Sequence, residues 1–341
     1  MEDIANFGVQ SLNGTFALVV PVFNDWEALE ILIGELEGAL TGSSLRMRIL
    51  VVDDGSSAQQ GQRLKSVCAG STMCSVDIMR LPFNMGHQRA IALGLAEIAA
   101  DDEYDAVIVM DADGEDKPED VPRLIAEYRS APDTIVVAQR TKRSEGIRFK
   151  FFYSVYKLIF RILTGSKIDF GNFSLIPKSV LKRLVDMPET WNHIAATYIR
   201  SPIPLTTMPA LRGRRYAGQS RMNLPKLVFH AICAMSVFAD VLFARILIAT
   251  SALAVVSIGL MSSVVAIKLF TDWAIPGWAS NVMGLLVIFL VQILILMFGA
   301  AFLLVTHNSN IANSPANFRR QVLSQIKISN LTGPSVDARK E

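Results

Sequence analysis

The sequence predicts an α/β domain with a parallel sheet, followed by a two-helix transmembrane hairpin. Almost all charged residues precede about residue 230, whereas residues 246–267 and 282–305 contain no Asp, Glu, Lys or Arg. Each of these apolar stretches exceeds the roughly 20 residues that cross a hydrocarbon core. In the charged part, short apolar runs alternate with segments of helical apolar spacing, which is the pattern of a β-α-β sheet.

Strand and helix signals alternate along the first 140 residues. The predicted strands are residues 16–22, 47–52, 106–110 and 134–138. The predicted helices are residues 26–40, a segment that begins after Gly86, and residues 117–128. Together these segments predict four strand–helix units of an open sheet.

An acidic cluster follows the strand at 106–110, in the order Asp111, Asp113, Glu115 and Asp116. Ligands of open α/β sheets lie just beyond the carboxyl ends of the strands. Carboxylates crowded at such a place are best tolerated beside a hard divalent cation and its phosphates, which predicts Mg²⁺ or Mn²⁺. Asp113 is the first choice as metal ligand and Asp111 the second. Simple capping of a turn is the alternative.

Two further loops are candidates for the same edge of the sheet. Asp53 ends a predicted strand and is suited to a ribose or base, although an Asx turn explains the same residues. Gly86 allows a nucleotide to approach the start of a helix, where unpaired amides attract anions. Asn84 and His87 flank that point, and an ordinary surface position is the alternative for His87.

Four motifs occur in order at these strand ends: Pro21-Val22-Phe23-Asn24, Asp53-Asp54-Gly55-Ser56, Asn84-Met85-Gly86 and Asp111-Ala112-Asp113. In this order they resemble the family 2 glycosyltransferases of the GT-A fold. The closer resemblance is to the polyprenyl-phosphate subgroup, which includes dolichyl-phosphate mannose synthases and undecaprenyl-phosphate glucosyl and aminoarabinosyl transferases. It extends over essentially the whole chain. Many relatives have a Gln-His-like pair where Glu115 and Asp116 stand, so metal ligation by Glu115 stays open.

The resemblance implies a Rossmann-like, nucleotide-sugar-binding GT-A domain. It implies inverting transfer of one hexose-type sugar from a nucleoside diphosphate sugar to polyprenyl (undecaprenyl) phosphate, with a UDP-sugar preferred to a GDP-sugar as the donor. The lipid-linked sugar would serve in the modification of envelope glycans or glycolipids. The implied donor-binding residues are Pro21, Phe23, Asn24, Asp53, Asn84, Gly86, His87, Asp111, Ala112, Asp113, Arg140 and Ser220. The implied metal ligands are Asp111, Asp113 and Glu115, and the implied catalytic residues are Asp113, Asp169 and Arg215.

The roles of Asp169 and Arg215 have alternatives. A phosphate monoester has a second pKa of about 6, so the acceptor is already largely an anion near neutral pH and needs no strong base. Asp169 is therefore a general base, a residue that positions the acceptor, or part of a structural turn. The planar fork of Arg215 suits a diphosphate, whereas attraction to anionic lipid is the alternative.

Basic residues near the two apolar stretches predict the membrane topology. They are Arg212, Arg214, Arg215, Arg221, Lys226 and Arg245 before the first stretch, and Arg319, Arg320 and Lys327 after the second. The loop between the stretches contains a single basic residue, Lys268, so both termini are expected in the cytosol. The predicted divisions are a catalytic domain (1–222), a juxtamembrane amphipathic helix (223–243), the hairpin (244–308) and a cytoplasmic C-terminal tail (309–341), of which residues 329–341 are read as a polar tail. Residues 149–163 are a second candidate interfacial helix.

Two other functions compete with the leading one. One is a glycosyltransferase that extends a growing polysaccharide or glycolipid, and the other is a catalytically inactive membrane adaptor. Membrane lipids are expected partners and nucleic acid is not, while a homo-oligomer through small-residue stretches at 249–257 and 299–301 is left open. Three cysteines without a CxxC pair indicate a reducing compartment.

Overall fold

The structure is a computed structural model that describes residues 12–57, 64, 74–101, 103–140, 157–217, 224–271, 277–308, 314–322 and 327–331. The chain divides into two compact units. The first comprises residues 1–157, 166–237 and 312–341, and the second comprises residues 158–165 and 238–311. The first unit is therefore assembled from segments on both sides of the long apolar helices.

An eight-stranded mixed sheet forms the centre of the first unit. Its strands are β1 (Asn13–Val22), β2 (Ser44–Asp53), β3 (Cys74–Arg80), β4 (Ala106–Val109), β5 (Ile135–Arg140), β6 (Ser174–Pro177), β7 (Leu205–Ala210) and β8 (Lys327–Asn330). They lie in the order β7-β5-β6-β4-β1-β2-β3-β8. The neighbours β4, β1, β2 and β3 are parallel, whereas β6 and β8 are antiparallel to the strands they pair with. The α/β prediction is confirmed, with a sheet that is mixed rather than wholly parallel.

Helices cover both faces of this sheet. They are α1 (Trp26–Leu40), α2 (His87–Ile98), α3 (Val121–Ser130), α4 (Lys178–Asp186) and α5 (Ile194–Arg200), and a further helix, α6 (Leu224–Ser236), packs on α5. Alternate residues of β1 enter two different cores, with Phe16 and Leu18 in one and Ala17 and Val19 in the other. Burial on both faces explains why the central strands read as continuous apolar runs.

Helix α2 packs unusually close to the sheet because of Gly94. A Cβ at this position would lie 2.6 Å from Val19 Cγ1 and 2.8 Å from Val52 Cγ2. The absence of a side chain lets the helix approach β1 and β2 directly. The amino end of α2, at His87, is thereby held against the carboxyl ends of these strands.

The predicted elements of the first 140 residues are present, with shifted boundaries. Helix α1 begins and ends where the sequence predicts, β1 and β2 begin three residues earlier than predicted, β4 ends one residue earlier, and β5 is shifted towards the carboxyl end. The helix predicted at 117–128 begins as a 3-10 turn over Pro118–Asp120 and continues as α3 to Ser130. Strands β3, β6, β7 and β8 were not predicted.

The segment that precedes the apolar helices differs from its prediction. Helix α6 ends at Ser236, so residues 239–243 belong to the next helix and not to one juxtamembrane helix over 223–243. Val228, Phe229 and Ile232 form an exposed apolar face on α6. Of the second candidate interfacial helix, residues 157–163 are helical and residues 149–156 lie outside the described residues.

The second unit contains two long apolar helices that pack against each other, α7 (Ala239–Phe270) and α8 (Trp278–Asn308). Both are long and apolar enough to cross a membrane, as predicted for residues 246–267 and 282–305. Most of their side chains are exposed, among them Phe270, Leu285 and Phe298. Apolar side chains on the outside of a helix pair are the arrangement that a lipid surrounding requires.

The chain after the hairpin returns to the first unit. Helix α9 (Pro315–Val322) packs on α2, where Arg319 Nε contacts Glu97 Oε2 at 2.6 Å. The Phe318 and Trp191 rings have centroids 5.1 Å apart, and β8 pairs with the edge strand β3. Residues 315–322 and 327–330 are thus part of the folded domain and not of a separate C-terminal tail, because the exposed edge of β3 and the surface of α2 provide them with partners.

Candidate active site

The predicted site residues lie on loops at the carboxyl ends of the parallel strands. Asn24 follows β1, Asp53 ends β2, and residues 84–86 follow β3. Asp111 is two residues beyond β4, which lies beside β1. The parallel registry brings these four loops to one edge of the sheet, as predicted.

The loops after β1 and β2 are connected by hydrogen bonds. The Asn24 amide donates to Ser56 Oγ at 2.8 Å, and the Ser56 amide donates to Asp53 Oδ1 at 2.9 Å. Asn24 has a φ of 56°, in the left-handed region that residues other than glycine seldom adopt. Phe23 is partly exposed beside it, while Pro21 is buried in the strand.

Asp54 shapes the loop that contains Asn84 and Gly86. Its buried carboxylate accepts from the Met85 amide at 2.6 Å and from the Gly86 amide at 3.0 Å. Burial raises the pKa of Asp54, and these two amide hydrogen bonds oppose the rise. Gly55 has a φ of 73°, and a Cβ there would lie 2.6 Å from the Asn84 nitrogen. Asp54 was not predicted as a site residue, although the Asp53-Asp54-Gly55-Ser56 motif is typical of such a turn.

The acidic loop after β4 is held by its own backbone. The Asp111 amide donates to Asp116 Oδ2 at 3.2 Å, and the Glu115 amide donates to Asp113 Oδ1 at 3.0 Å. Asp111 Oδ1 is buried and has no hydrogen-bond partner among the described residues. Burial and the charge of Asp111 raise the pKa of Asp113, and the same two causes raise the pKa of Asp116 to about 7. The loop therefore concentrates more negative charge than its neighbours neutralise.

Three arginines contact this loop. Arg215 Nη1 is 3.2 Å from Asp113 Oδ2, and Arg215 Nη2 is 3.7 Å from Asp25 Oδ2. The two oxygens of Glu115 contact Arg212 at 2.7 Å and Arg140 at 3.5 Å. Arg140 also contacts Asp116 Oδ1, at 3.2 Å. Both Glu115 oxygens are paired with guanidinium groups, whereas Asp111 has an oxygen without a hydrogen-bond partner among the described residues, so Asp111 is a better candidate for a metal ligand than Glu115.

Residues 211–217, hereafter the strap, lie directly on the acidic loop. The Gly213 amide donates to the Glu115 carbonyl at 2.8 Å, and the Tyr216 amide donates to the Asp113 carbonyl at 2.9 Å. A Cβ on Gly213 would lie 2.1 Å from the Gly114 oxygen. The Tyr216 hydroxyl donates to Glu35 on α1. Glycine is thus required where the strap and the loop touch, and Arg215 is held at Asp113 by its neighbours.

His87 stands at the amino end of α2, between the acidic loop and the 169–173 loop. Its Nε2 is 3.3 Å from Asp111 Oδ1 and 3.0 Å from Asn172 Nδ2. Burial disfavours the charged imidazole, but the charges of Asp111 and Asp113 outweigh this effect and raise the pKa of His87. The same contact with His87, aided by Arg140, lowers the pKa of Asp111 although its burial opposes this.

Asp169 is held between two lysines. Lys157 Nζ is 2.5 Å from Asp169 Oδ1, and Lys167 Nζ is 2.5 Å from Asp169 Oδ2. Burial alone would raise the pKa of Asp169, but the hydrogen bonds from Lys157 and Lys167 lower it. A carboxylate with a lowered pKa and both oxygens engaged is a weak proton acceptor.

The sequence of this region identifies its family. Residues 17–185 match the profile described as glycosyl transferase family 2.

Residues 17–185 form a family 2 glycosyltransferase domain.

Curated relatives agree with this assignment. An uncharacterized glycosyltransferase of Bacillus subtilis (strain 168) is 25% identical over 270 residues, which cover 78% of this chain and 81% of the relative. The undecaprenyl-phosphate 4-deoxy-4-formamido-L-arabinose transferase of Erwinia tasmaniensis is 26% identical over 219 residues, which cover 62% of this chain and 64% of the relative. The resemblance to polyprenyl-phosphate glycosyltransferases is thereby confirmed.

Solved structures include distant neighbours of the chain. Glucosyl-3-phosphoglycerate synthase from Mycobacterium tuberculosis, in complex with Mn²⁺, UDP-glucose and phosphoglyceric acid, has a TM-score of 0.44 at 17% identity and covers 68% of this chain and 79% of its own. Mannosyl-3-phosphoglycerate synthase from Rubrobacter xylanophilus has a TM-score of 0.45 at 16% identity, covering 66% and 73%.

The acidic loop of the glycosyltransferase domain fits a divalent cation in part. Within the described ranges, no group of three or more His, Cys, Asp and Glu side chains is arranged as a complete metal site. Asp111 and Asp113 nevertheless provide two carboxylates, one with a buried oxygen that lacks a hydrogen bond. Mg²⁺ is commonly held by one or two carboxylates, with substrate phosphates and water as the other ligands. The residues present therefore suit a cation that arrives with a phosphorylated donor.

The structure places most predicted site residues around this loop. Ala112 is buried within it, and Arg140 reaches it from the end of β5. Ser220 lies outside the described residues. The residues that were not predicted as site residues are Asp54, Gln88, Asn172 and Tyr216. Asp54, Asn172 and Tyr216 each form a hydrogen bond with a predicted residue, and Gln88 donates to Asn172. The binding and catalytic roles of the predicted set stay predictions.

Proposed function

We propose that the protein transfers a single hexose-type sugar from a nucleoside diphosphate sugar to polyprenyl phosphate, with inversion, at the cytoplasmic face of a membrane. The observation that carries the proposal is the acidic pair Asp111 and Asp113, with Arg215 beside Asp113, inside a family 2 glycosyltransferase domain. Relatives named undecaprenyl-phosphate transferases and the two long apolar helices support the lipid acceptor.

The donor is expected at the edge formed by β1, β2 and β4. Asp53 and Asn24 are placed to contact the base or ribose, with UDP preferred to GDP. Asp111 and Asp113 would hold Mg²⁺ or Mn²⁺, which supplies positive charge to a leaving diphosphate. Arg215 provides a planar pair of donors for phosphate oxygens and already lies beside Asp113.

The acceptor phosphate is its own nucleophile in this proposal. Its second pKa of about 6 leaves it largely dianionic near neutral pH, so proton removal contributes little. The lowered pKa of Asp169 and its two lysine partners favour a positioning role over general-base catalysis. Asp169 would fix Lys157 and Lys167, and the ammonium groups would attract the acceptor phosphate.

The connection between the two units supports one membrane topology. The chain leaves the first unit after residue 237 and re-enters it at residue 312. If α7 and α8 each cross the bilayer once, both parts of the first unit lie on the same side. Basic residues flank the hairpin, among them Arg245 and Arg319, so that side is proposed to be the cytosol, as in an integral inner-membrane protein.

A lipid-product assay tests the proposal. Purified protein in detergent is incubated with undecaprenyl phosphate, Mg²⁺ or Mn²⁺, and a panel of UDP- and GDP-sugars, and lipid products are read by mass spectrometry. A product heavier by one glycosyl unit is expected and identifies the donor. Metal-dependent donor binding without any lipid product would refute the acceptor and favour a glycan acceptor, while absence of donor binding would favour an inactive adaptor.

A further inference from the structure

Two amide side chains outside the predicted site form a chain of hydrogen bonds that ends at His87. The Ile194 amide, at the start of α5, donates to Gln88 Oε1 at 2.9 Å. Gln88 Nε2 donates to Asn172 Oδ1 at 3.1 Å, and Asn172 Nδ2 is 3.0 Å from His87 Nε2. The chain of hydrogen bonds links His87 at the acidic site to the 169–173 loop and to α5.

The direction of each hydrogen bond is fixed from one end. A backbone N–H can only donate, so the Gln88 atom that faces Ile194 must be the oxygen. The other Gln88 atom is then NH₂, which requires the oxygen of Asn172 opposite it. Asn172 therefore presents its own NH₂ to His87, and His87 Nε2 must accept. This assignment comes from the network itself, which is how amide and imidazole orientations are decided.

The same assignment of hydrogen-bond donors and acceptors explains why Asp111 Oδ1 has no hydrogen-bond partner among the described residues. In the neutral imidazole, a His87 Nε2 that accepts from Asn172 carries no hydrogen to donate to Asp111 Oδ1, although the two atoms are 3.3 Å apart. Asp111 Oδ1 is indeed a buried oxygen without a hydrogen-bond partner among the described residues. Because a buried carboxylate oxygen without a partner is costly, this one is available to a ligand.

We infer that Gln88 and Asn172 are positioning residues that hold His87 with Nε2 as an acceptor and thereby keep Asp111 Oδ1 free for its ligand. The ligand is the cation and nucleotide of the proposed function, on which this part rests. The direction of the hydrogen bonds follows from Ile194 alone. Neither residue need touch the substrate, since both act through His87.

Two isosteric substitutions reverse the chain without removing a side chain. In Gln88→Glu, one carboxylate oxygen still accepts from Ile194, but the other cannot donate, so the Asn172 amide turns and presents its oxygen to His87. In Asn172→Asp, both oxygens accept, from Gln88 and from His87. In either variant His87 Nε2 must carry the hydrogen, and it can then also donate to Asp111 Oδ1.

The first measurement is the histidine tautomer. The chain has four histidines, so ¹⁵N-histidine labelling gives few signals, and His87→Gln assigns the one of interest. At a pH high enough that the His87 imidazole is neutral, which its own ¹⁵N signals show, the full-length protein in detergent should show His87 protonated on Nδ1, and both variants should show it on Nε2. An unchanged tautomer in Asn172→Asp would overturn the inference even if Gln88→Glu failed to fold.

The second measurement is Mn²⁺ affinity without nucleotide, by electron paramagnetic resonance. An added carboxylate should by itself increase the affinity for a nearby cation. Competition from His87 should instead weaken Mn²⁺ binding on the order of 10-fold, the usual scale for residues that orient a metal ligand. Asn192→Asp, which adds the same charge outside the chain of hydrogen bonds, is the control and should not weaken binding. Equal or tighter binding in both reversed variants would also overturn the inference.

The two outcomes separate this inference from the proposed function. A reversed tautomer with weakened Mn²⁺ binding supports the inference whether or not any lipid product forms. Failure of glycosyl transfer in the unsubstituted protein refutes the proposed function and leaves the tautomer result unaffected. An unchanged tautomer in an enzyme that makes the lipid product refutes the inference alone.

Discussion

Arg215 is paired with Asp113, the predicted metal ligand, so substitution of Arg215 is expected to change metal affinity and nucleotide affinity in opposite directions. Its guanidinium lies 3.2 Å from Asp113 Oδ2, with both side chains about one-fifth exposed. A divalent cation at Asp113 must compete with this ion pair, while a bound diphosphate would use the same guanidinium. Arg215→Gln is therefore expected to tighten Mn²⁺ binding without nucleotide and to weaken UDP binding with Mn²⁺ present.

The size of the effect follows from the geometry. At 3.2 Å and an effective dielectric constant of about 20, the Coulomb attraction is about 5 kcal/mol. Desolvation and the entropy of fixing the side chain offset most of it, leaving about 1–2 kcal/mol for a partly buried, charge-assisted pair. A difference of about 1–2 kcal/mol corresponds to roughly 5–30-fold in affinity.

Titration of Mn²⁺ by electron paramagnetic resonance, and of UDP by calorimetry at saturating Mn²⁺, measures both affinities. Arg214→Gln is the matched control, because it removes the same charge from the neighbouring, exposed position. The control should change Mn²⁺ affinity by less than about 2-fold, as expected for a screened surface charge. Equal effects of the two substitutions, or weaker Mn²⁺ binding in Arg215→Gln, would refute the competition.

Four further outcomes are expected. Asp113→Ala should abolish metal-dependent turnover while circular dichroism and membrane insertion stay normal, and normal turnover would refute the metal assignment. Asp169→Asn should keep most of kcat and raise the KM for polyprenyl phosphate, whereas a loss of kcat of about 100-fold would establish a general base. Gly213→Ala places a Cβ 2.1 Å from the Gly114 carbonyl oxygen, so the strap must shift. The substitution should raise the KM for the nucleotide sugar and lower the free energy of unfolding by about 1–3 kcal/mol in denaturant titration. An unchanged KM for the donor would show that the strap does not order the donor site. Burial raises the pKa of Asp116 to about 7 from 3.8, so its contribution to stability is complete below about pH 4 and is lost as the pH rises to 7. Asp116→Asn should therefore gain thermal stability relative to the unsubstituted protein between pH 5 and pH 8, and a constant difference across that range would contradict the raised pKa.

Several features could be predicted because they are encoded locally. A strand buried on both faces reads as a short apolar run, and the polar residues that end it stand next to it in the chain. Asp53 and Asp111 were recognisable for this reason. The long apolar helices were also recognisable from adjacent residues, because an apolar stretch without charges that is long enough to cross a membrane is typical of a transmembrane helix. The structure forms helices of 32 and 31 residues over these stretches.

Other features depend on contacts between distant parts of the chain. Strand β6 has four residues and lies between β4 and β5, and its direction is set by those two neighbours rather than by its own pattern. Residues 315–322 and 327–330 pack on α2 and β3, more than 200 residues earlier, as the contact of Arg319 with Glu97 shows for the first of these segments. Local periodicity contains no information about such partners.

The site divides in the same way. The sequence by itself determined the family, the acidic loop and the edge of the sheet where it lies, because each is written in residues adjacent along the chain. Only the tertiary structure decided that Arg215 lies on Asp113, that two lysines hold Asp169, and that Gln88 and Asn172 direct His87. The direction of a hydrogen bond and the pairing of a charge depend on which groups meet in space, and folding brings these groups together from separate elements.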